Sequence, residues 1–266
     1  TPQRAAPAVA NEPFEPLILG FTCNWCSYRA ADLAGTARTK YPHNVRLIRM
    51  MCSGRMEPEF ILEGFAKGAD AVIMTGCWPE DCHYRIQSVK ALRRFIFLRR
   101  MLADLGIEPA RLQRFYASAA EGQRFGQIIT DFTTALREKG PIADTPELKE
   151  KSLMGESIAG AVRIRWLVGK EEELTAIGNV YGEKVHSGAY TDLIRRNVEA
   201  EYDRQVLRSL MKSGPSTVGD LASGTGMAKP QVFRLITEME NAGEVHLQGF
   251  DGDTPKYILL DEGGEA

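Results

Sequence analysis

Between Leu17 and Gly140 short apolar runs alternate with longer amphipathic stretches. Residues 17–21, 45–50, 71–75 and 112–117 are apolar-rich and partly β-branched, the pattern of strands buried in a parallel sheet. Residues 28–41, 57–68, 84–105 and 120–139 are rich in Ala, Leu, Arg and Glu, with glycine at or just past several ends, which predicts helices. Strict alternation of strand and helix predicts right-handed βαβ units, hence an open four-stranded parallel sheet between helices, an α/β fold.

Two prolines and a run of charge at 141–150 end that pattern. From residue 148 to about 205 the composition is helical, and the apolar stretch 158–168 needs a covering partner. The last segment predicts a helix at 206–211, a second opened by a Ser216 or Thr217 cap and running to Ala222, and a turn at 226–230. A third helix follows at 231–242, with Val232, Leu235, Ile236 and Met239 forming one apolar stripe and Gly243 ending it. Residues 245–260 then predict a β-hairpin with its tip at 249–255. Together these give a winged helix-turn-helix. The predicted domains are a flexible arm at 1–16, the α/β domain at 17–140, a helical linker at 141–202 and a winged-helix domain at 203–262.

Composition narrows the function classes. A chain of 266 residues with 44% apolar and 26% charged residues is that of a packed globular protein, long enough for two domains. No apolar stretch approaches the ~20 residues that cross a bilayer, and the proline- and alanine-rich start has no apolar secretory core, so a cytoplasmic address is expected. A formal net charge of −2 gives no global attraction to nucleic acid or membrane.

The chemistry lies in the cysteines. All five fall between Cys23 and Cys82, each group just after an apolar run: Cys23 and Cys26, then Cys52, then Cys77 and Cys82. Open parallel sheets bind ligands at the carboxyl ends of their strands, so these thiols are expected to converge on one rim. Without a secretory signal, metal or redox use is favoured over structural disulfides, and an odd count fits four ligands plus one spare. Thiolates hold iron–sulfur clusters and zinc alike; the sheet already supplies a core, which puts zinc second. The sequential C-x2-C-x2-C run of two-cluster ferredoxins is absent, so a small cluster built from separate loops fits better. Arg29, Arg55 and Arg85 each follow a cysteine group by three residues and are candidates to offset thiolate charge, unless they are simply solvated. Trp25, Trp78 and Met51 are candidates to shield a cluster, and His83 to hydrogen-bond a sulfur or cap a helix starting at Tyr84. A Rieske-type ligand role for His83 is disfavoured with five thiols at hand, and His43, His186 and His246 are isolated. Cys23-Asn-Trp-Cys26 alone would also suit a thioredoxin-like redox motif, but three further cysteines at neighbouring strand ends favour metal.

Cys-Asn-Trp-Cys-Ser-Tyr, Met-Cys-Ser-Gly-Arg, and Gly-Ala-Asp-Ala-Val with Gly-Cys-x-Pro-x-Asp-Cys-His-Tyr closely resemble the delta subunit of methyl-viologen-reducing hydrogenase over about residues 15–140. The resemblance implies one [2Fe-2S] cluster that passes electrons to an HdrA-like flavoprotein of heterodisulfide-reductase-type complexes, with four of Cys23, Cys26, Cys52, Cys77 and Cys82 as ligands. Cys23, Cys52, Cys77 and Cys82 are the favoured four, one per strand end plus the close pair, with Cys26 as the spare. Trp78 stands where the family often has His and Glu80 where it often has Gly, departures that touch no thiol. The expected fold is flavodoxin-like. The expected donor is a hydrogenase, a formate dehydrogenase or another oxidoreductase subunit. No Gly-rich phosphate loop and no nucleophile–base pair accompanies the cysteines, so the chain is expected to relay electrons within a larger assembly and not to catalyse alone. The winged helix keeps a redox-sensing DNA-binding regulator as an alternative. Against it stand Glu238 and Glu240 on the recognition-type helix and Asp251 and Asp253 at the wing, since phosphate contacts dominate DNA affinity; Lys229, Arg234, Arg195, Arg196, Arg204 and Arg208 are the opposing cations. Protein docking is the favoured role of that domain, and a zinc-stabilised binding protein is the third reading.

Overall fold

The computed structural model describes residues 13–143 and 145–260. Most of the 1–16 arm, and the last two residues of the 203–262 domain, lie outside the described residues. The chain divides into two compact units, residues 1–190 and 191–266.

In the first unit β1 (Ile18–Cys23), β2 (Val45–Met50), β3 (Ala71–Gly76) and β4 (Leu112–Tyr116) form one parallel sheet in the order β2-β1-β3-β4. The helices between them are α1 (Ser27–Thr36), α2 (Pro58–Ala66) and α3 (Gln87–Asp104), and α4 (Gly122–Lys139) follows β4. Alternate residues of the strands feed two cores. Ile18, Ala71, Ile73 and Phe115 meet Ala30, Ala34, Phe125, Ile129 and Leu136 of α1 and α4. Leu19 and Val72 face the other way and receive α2 at Gly64, whose missing Cβ would lie 3.1 Å from Leu19. The four predicted strands and four predicted helices are all present. The first strand runs two residues further than its apolar pattern, which places Cys23 inside it. β2 is a sheet edge, and its Ile48 stays exposed.

Asp70, fully buried just ahead of β3, fastens both ends of the sheet region: its carboxylate accepts the N–H of Leu17 at 2.9 Å and of Ile142 at 3.2 Å. Asp70→Ala is expected to leave those donors unpaired and to lower stability by about 1–3 kcal/mol, measured by denaturant titration of tryptophan fluorescence.

The helical composition after residue 145 resolves into α5 (Pro146–Gly160), capped by the Thr145 hydroxyl, and α6 (Val162–Glu172). These cover the apolar stretch themselves. Ile158, Ala159, Ile164, Leu167 and Val168 are buried, α5 lying along α2 and α6 against α3, while Val162 and Trp166 stay exposed. Ion pairs Lys90–Glu173 and Arg93–Glu171, both 3.0 Å, tie the end of this segment to α3.

The second unit carries the end of α7 (Ser187–Met211), then β5 (Ser216–Thr217), α8 (Val218–Thr225), α9 (Lys229–Asn241), β6 (Val245–Asp251) and β7 (Thr254–Leu259). The helix predicted at 206–211 is the last part of a 25-residue helix, because no glycine or proline interrupts 189–211. Thr217 and Asp220 form a capping box at α8, and Leu207, Met211, Leu221, Val232, Leu235, Ile236, Met239, Val245 and Tyr257 make the core. The predicted wide hairpin tip closes to a two-residue turn, with Gly252 at φ 58° and a bulge between Leu247 and Gly249. Among the described residues no helix is long and apolar enough to cross a membrane.

Candidate metal centre

The parallel register aligns the ends of the central strands, Cys23 opposite Met50 and Phe21 opposite Met74. Cys23 is the last residue of β1, Cys26 stands at the N-terminus of α1, Cys52 opens the 3-10 turn Ser53–Arg55, Cys77 directly follows β3, and Cys82 lies in the turn before α3. All five are free thiols. The sulfurs of Cys23, Cys26 and Cys77 lie within 4.8 Å of one another, with Cys23 and Cys77 3.9 Å apart, and all three residues are buried. Cys52 and Cys82 are half-buried, and Cys82 packs with Trp25 against the trio. Cys26, the expected spare, thus stands in the innermost group.

Local hydrogen bonds hold this arrangement. The backbone N–H of Cys23 donates to the buried Ser27 hydroxyl at 2.9 Å, and that of Asn24 donates to the Met50 carbonyl at 2.7 Å. Arg49 Nε donates to Asn24 Oδ1 at 2.7 Å, and Ser88 Oγ donates to the Cys77 carbonyl at 2.6 Å. Gly76 lets the Cys52 turn close on β3: a Cβ there would stand 2.8 Å from Ser53 Oγ.

Crowding splits the thiol acidities. Hydrogen bonds from Cys26, Cys52 and Cys77 hold the Cys23 thiol far below its ordinary range. Its neighbours move the other way: donating to Cys23 pushes Cys26 and Cys52 far up, and Cys77 up to about 11, with burial adding to each. One thiolate surrounded by protonated thiols is the preferred state of the bare site, so ionising four of them requires a cation to displace the protons.

Donors without acceptors surround the sulfurs. Trp25 Nε1 is buried and unpartnered while its ring packs on the trio, and Nε and Nη1 of Arg114 on β4 are likewise buried and unpartnered. A thiolate-ligated, anionic and acceptor-rich group fits such a pocket on its donor set.

The other candidates divide. Trp25 covers the trio, stacked on His83 with ring centres 3.8 Å apart and with Arg29 above it at 5.6 Å. Trp78 instead donates to Glu121 at 3.0 Å and packs on Tyr116, and Met51 is 59% exposed and shields nothing. Arg55 and Arg85 are exposed. The helix expected to start at Tyr84 starts at Gln87, because Arg85 takes a left-handed φ of 61°, so His83 caps no helix. Arg114 and Ser88 were not singled out from the sequence. The available signal was a charged residue in the middle of a buried strand, Leu-Gln-Arg-Phe-Tyr.

In the second unit, ion pairs occupy most of the charges weighed for nucleic acid. Arg204 pairs with Glu201 and Glu238, Arg208 with Glu201 and Glu244, and Lys256 with Asp251.

The profile of the family described as methyl-viologen-reducing hydrogenase, delta subunit, matches residues 18–140, and that of the IclR helix-turn-helix domain matches residues 205–248. The chain is 48% identical over 131 residues to an iron-sulfur subunit of the F420-non-reducing hydrogenase of Archaeoglobus profundus, covering 49% of this chain and 96% of that protein. It is 39% identical over 127 residues to the vhu iron-sulfur subunit of the F420-non-reducing hydrogenase of Methanocaldococcus jannaschii, covering 48% and 95%. It is also 44% identical over 144 residues to the HdrA-type subunit of the ferredoxin:CoB-CoM heterodisulfide reductase of Methanosarcina mazei, covering 54% of this chain but only 18% of that one. Through its N-terminal half, the chain belongs to the methyl-viologen-reducing hydrogenase delta-subunit family.

Proposed function

We propose that this chain is an electron-transfer subunit that holds one [2Fe-2S] cluster on its thiol rim and relays electrons between a donor and an HdrA-like flavoprotein. The observation that carries the reading is the buried trio Cys23, Cys26 and Cys77, three free thiols within 4.8 Å. We assign these three and Cys52 as ligands, since Cys52 reaches Cys23 by a hydrogen bond, and Cys82 as the fifth thiol. When bound, the cluster supplies one-electron uptake and release. The chain's own residues exclude water through Trp25 and His83, and fix the strand ends through Ser27, Asn24 and Ser88.

The partner reading draws on the Methanosarcina protein, where the matching stretch is a minor part of a much longer heterodisulfide reductase polypeptide. Such a fusion favours direct contact between the two modules. The half-buried Cys52 and Cys82 adjoin exposed Met51, Tyr84 and Ile86, an apolar rim suited to that contact. A hydrogenase is the donor favoured by the relatives' names, with formate dehydrogenase as another. The proposed fold of the thiol domain is flavodoxin-like, spanning 17–140. The second unit is proposed as a winged helix used for protein docking, because Arg204 and Arg208, part of its basic patch, are spent on internal ion pairs. A DNA-binding regulator is the second reading, favoured by the match to a helix-turn-helix profile and by exposed Lys229 and Arg234 on α9.

Anaerobic purification should yield about two irons and two sulfides per chain, with a rhombic EPR signal on reduction. Zinc alone would overturn the reading. Co-purification of a flavoprotein supports the relay; retention on specific DNA at moderate salt supports the regulator.

A further inference from the structure

We propose that Arg114 is the interior counter-charge of the thiol centre, a positioning residue that favours the reduced, more negative state of the cluster. The inference rests on the iron–sulfur reading above.

Arg114 lies on β4 in register with Met74, under the strand end that carries Cys77. Its Nη2 donates to the Ser88 carbonyl at 2.8 Å and to Ser88 Oγ at 3.2 Å, and Ser88 Oγ donates in turn to the Cys77 carbonyl at 2.6 Å. Two hydrogen bonds therefore link the guanidinium to a thiol-bearing residue. The ring of Tyr116 lies against it at 4.9 Å. Nε and Nη1 are buried without a partner, and among the described residues no carboxylate pairs with this arginine. A buried cation without an anion is costly, and a guanidinium does not escape that cost by losing its proton. The anions that favour its charged form are Tyr116, Cys26 and Cys77, while burial opposes it. The three arginines that follow the cysteine groups are all exposed, where solvent screens them. Arg114 alone among these arginines acts from the low-dielectric side, where a charge has its largest effect on the site. Reduction adds one negative charge to the cluster, and a fixed cation beside it stabilises that state more than the oxidised one.

The test uses the full-length holoprotein, with iron per chain measured alongside an EPR-monitored redox titration. Arg114→Met keeps the bulk and removes the charge; Arg114→Lys keeps a charge. In the Met variant the oxidised-to-reduced ratio at fixed solution potential should rise about tenfold or more, a midpoint lower by about 59 mV or more for a one-electron couple. The Lys variant should stay within about threefold of wild type. Iron retained by the Lys variant and lost from the Met variant also supports the role. An unmoved midpoint in the Met variant overturns it. So do equal shifts in both variants, or iron lost from both, since packing would then be the cause. Iron-free wild-type protein defeats the cluster reading itself, and the inference with it.

Discussion

Cys26→Ser is expected to abolish cluster binding, with iron per chain falling to near zero and the reduced EPR signal disappearing. One thiol per strand end would have left Cys26 outside. The local fold decides otherwise, because a CxxC placed at a strand end and helix start brings its second cysteine back over the first. Cys26 stands at the N-terminus of α1 with its carbonyl already accepting the N–H of Ala30, so the helix fixes where its sulfur goes. That sulfur lies within 4.8 Å of those of Cys23 and Cys77. Two-iron and four-iron clusters take four protein ligands, and a serine hydroxyl is a poor replacement for a thiolate. Cys23→Ser and Cys77→Ser should behave as Cys26→Ser does. The outer pair is expected to differ: Cys52→Ser loses the cluster, while Cys82→Ser keeps it with an altered signal. Full iron and an unchanged spectrum in Cys26→Ser would remove the trio as the ligand core and restore Cys26 as the spare.

The sheet was legible because each strand is a short β-branched or apolar run and each connection is a helix of ordinary length. Even the convergence of the thiols followed from topology, since residues just past the ends of parallel strands must share a rim. Features that depend on three-dimensional packing were not legible. The position of Cys26 relative to Cys23 depends on the Ser27 hydroxyl holding the Cys23 N–H, a contact with no one-dimensional signature. Arg114 looked like one polar residue in a mostly apolar strand. Its burial follows from α3 crossing over it at Ser88. The late start of α3 depends on Arg85 adopting a conformation that arginine seldom takes. In the second unit the counts of acidic and basic residues were right as counts but misleading as a surface. Glu238 is paired with Arg204, so neither presents a free charge to a partner.

Phe125→Ala is expected to destabilise the first unit by about 3–5 kcal/mol, the usual cost of truncating a fully buried phenylalanine. Phe125 is 0% exposed at the start of α4 and makes edge-on contacts with Tyr41 at 5.9 Å and Phe115 at 5.8 Å. It fills the space where α1, α4 and β4 meet. Gly122, one turn earlier, brings α4 so close to α1 that a Cβ would stand 2.8 Å from the Ala34 amide nitrogen. Loosening α4 therefore loosens α1, whose first turn carries Cys26. Tryptophans 25, 78 and 166 all lie within residues 1–190, so their fluorescence in a denaturant titration reports this unit alone. The loss should appear in the metal-free protein. In the loaded protein the midpoint should fall less, because a group that binds only the folded state adds its own stabilisation. Iron should then pass to a chelator faster than from wild type, at a stoichiometry that is unchanged before the chelator is added. A loss below about 1 kcal/mol would mean that α4 is not a support of the site. A large loss without faster iron release would mean that the thiol rim is held by the strand ends alone and α1 only carries Cys26 along.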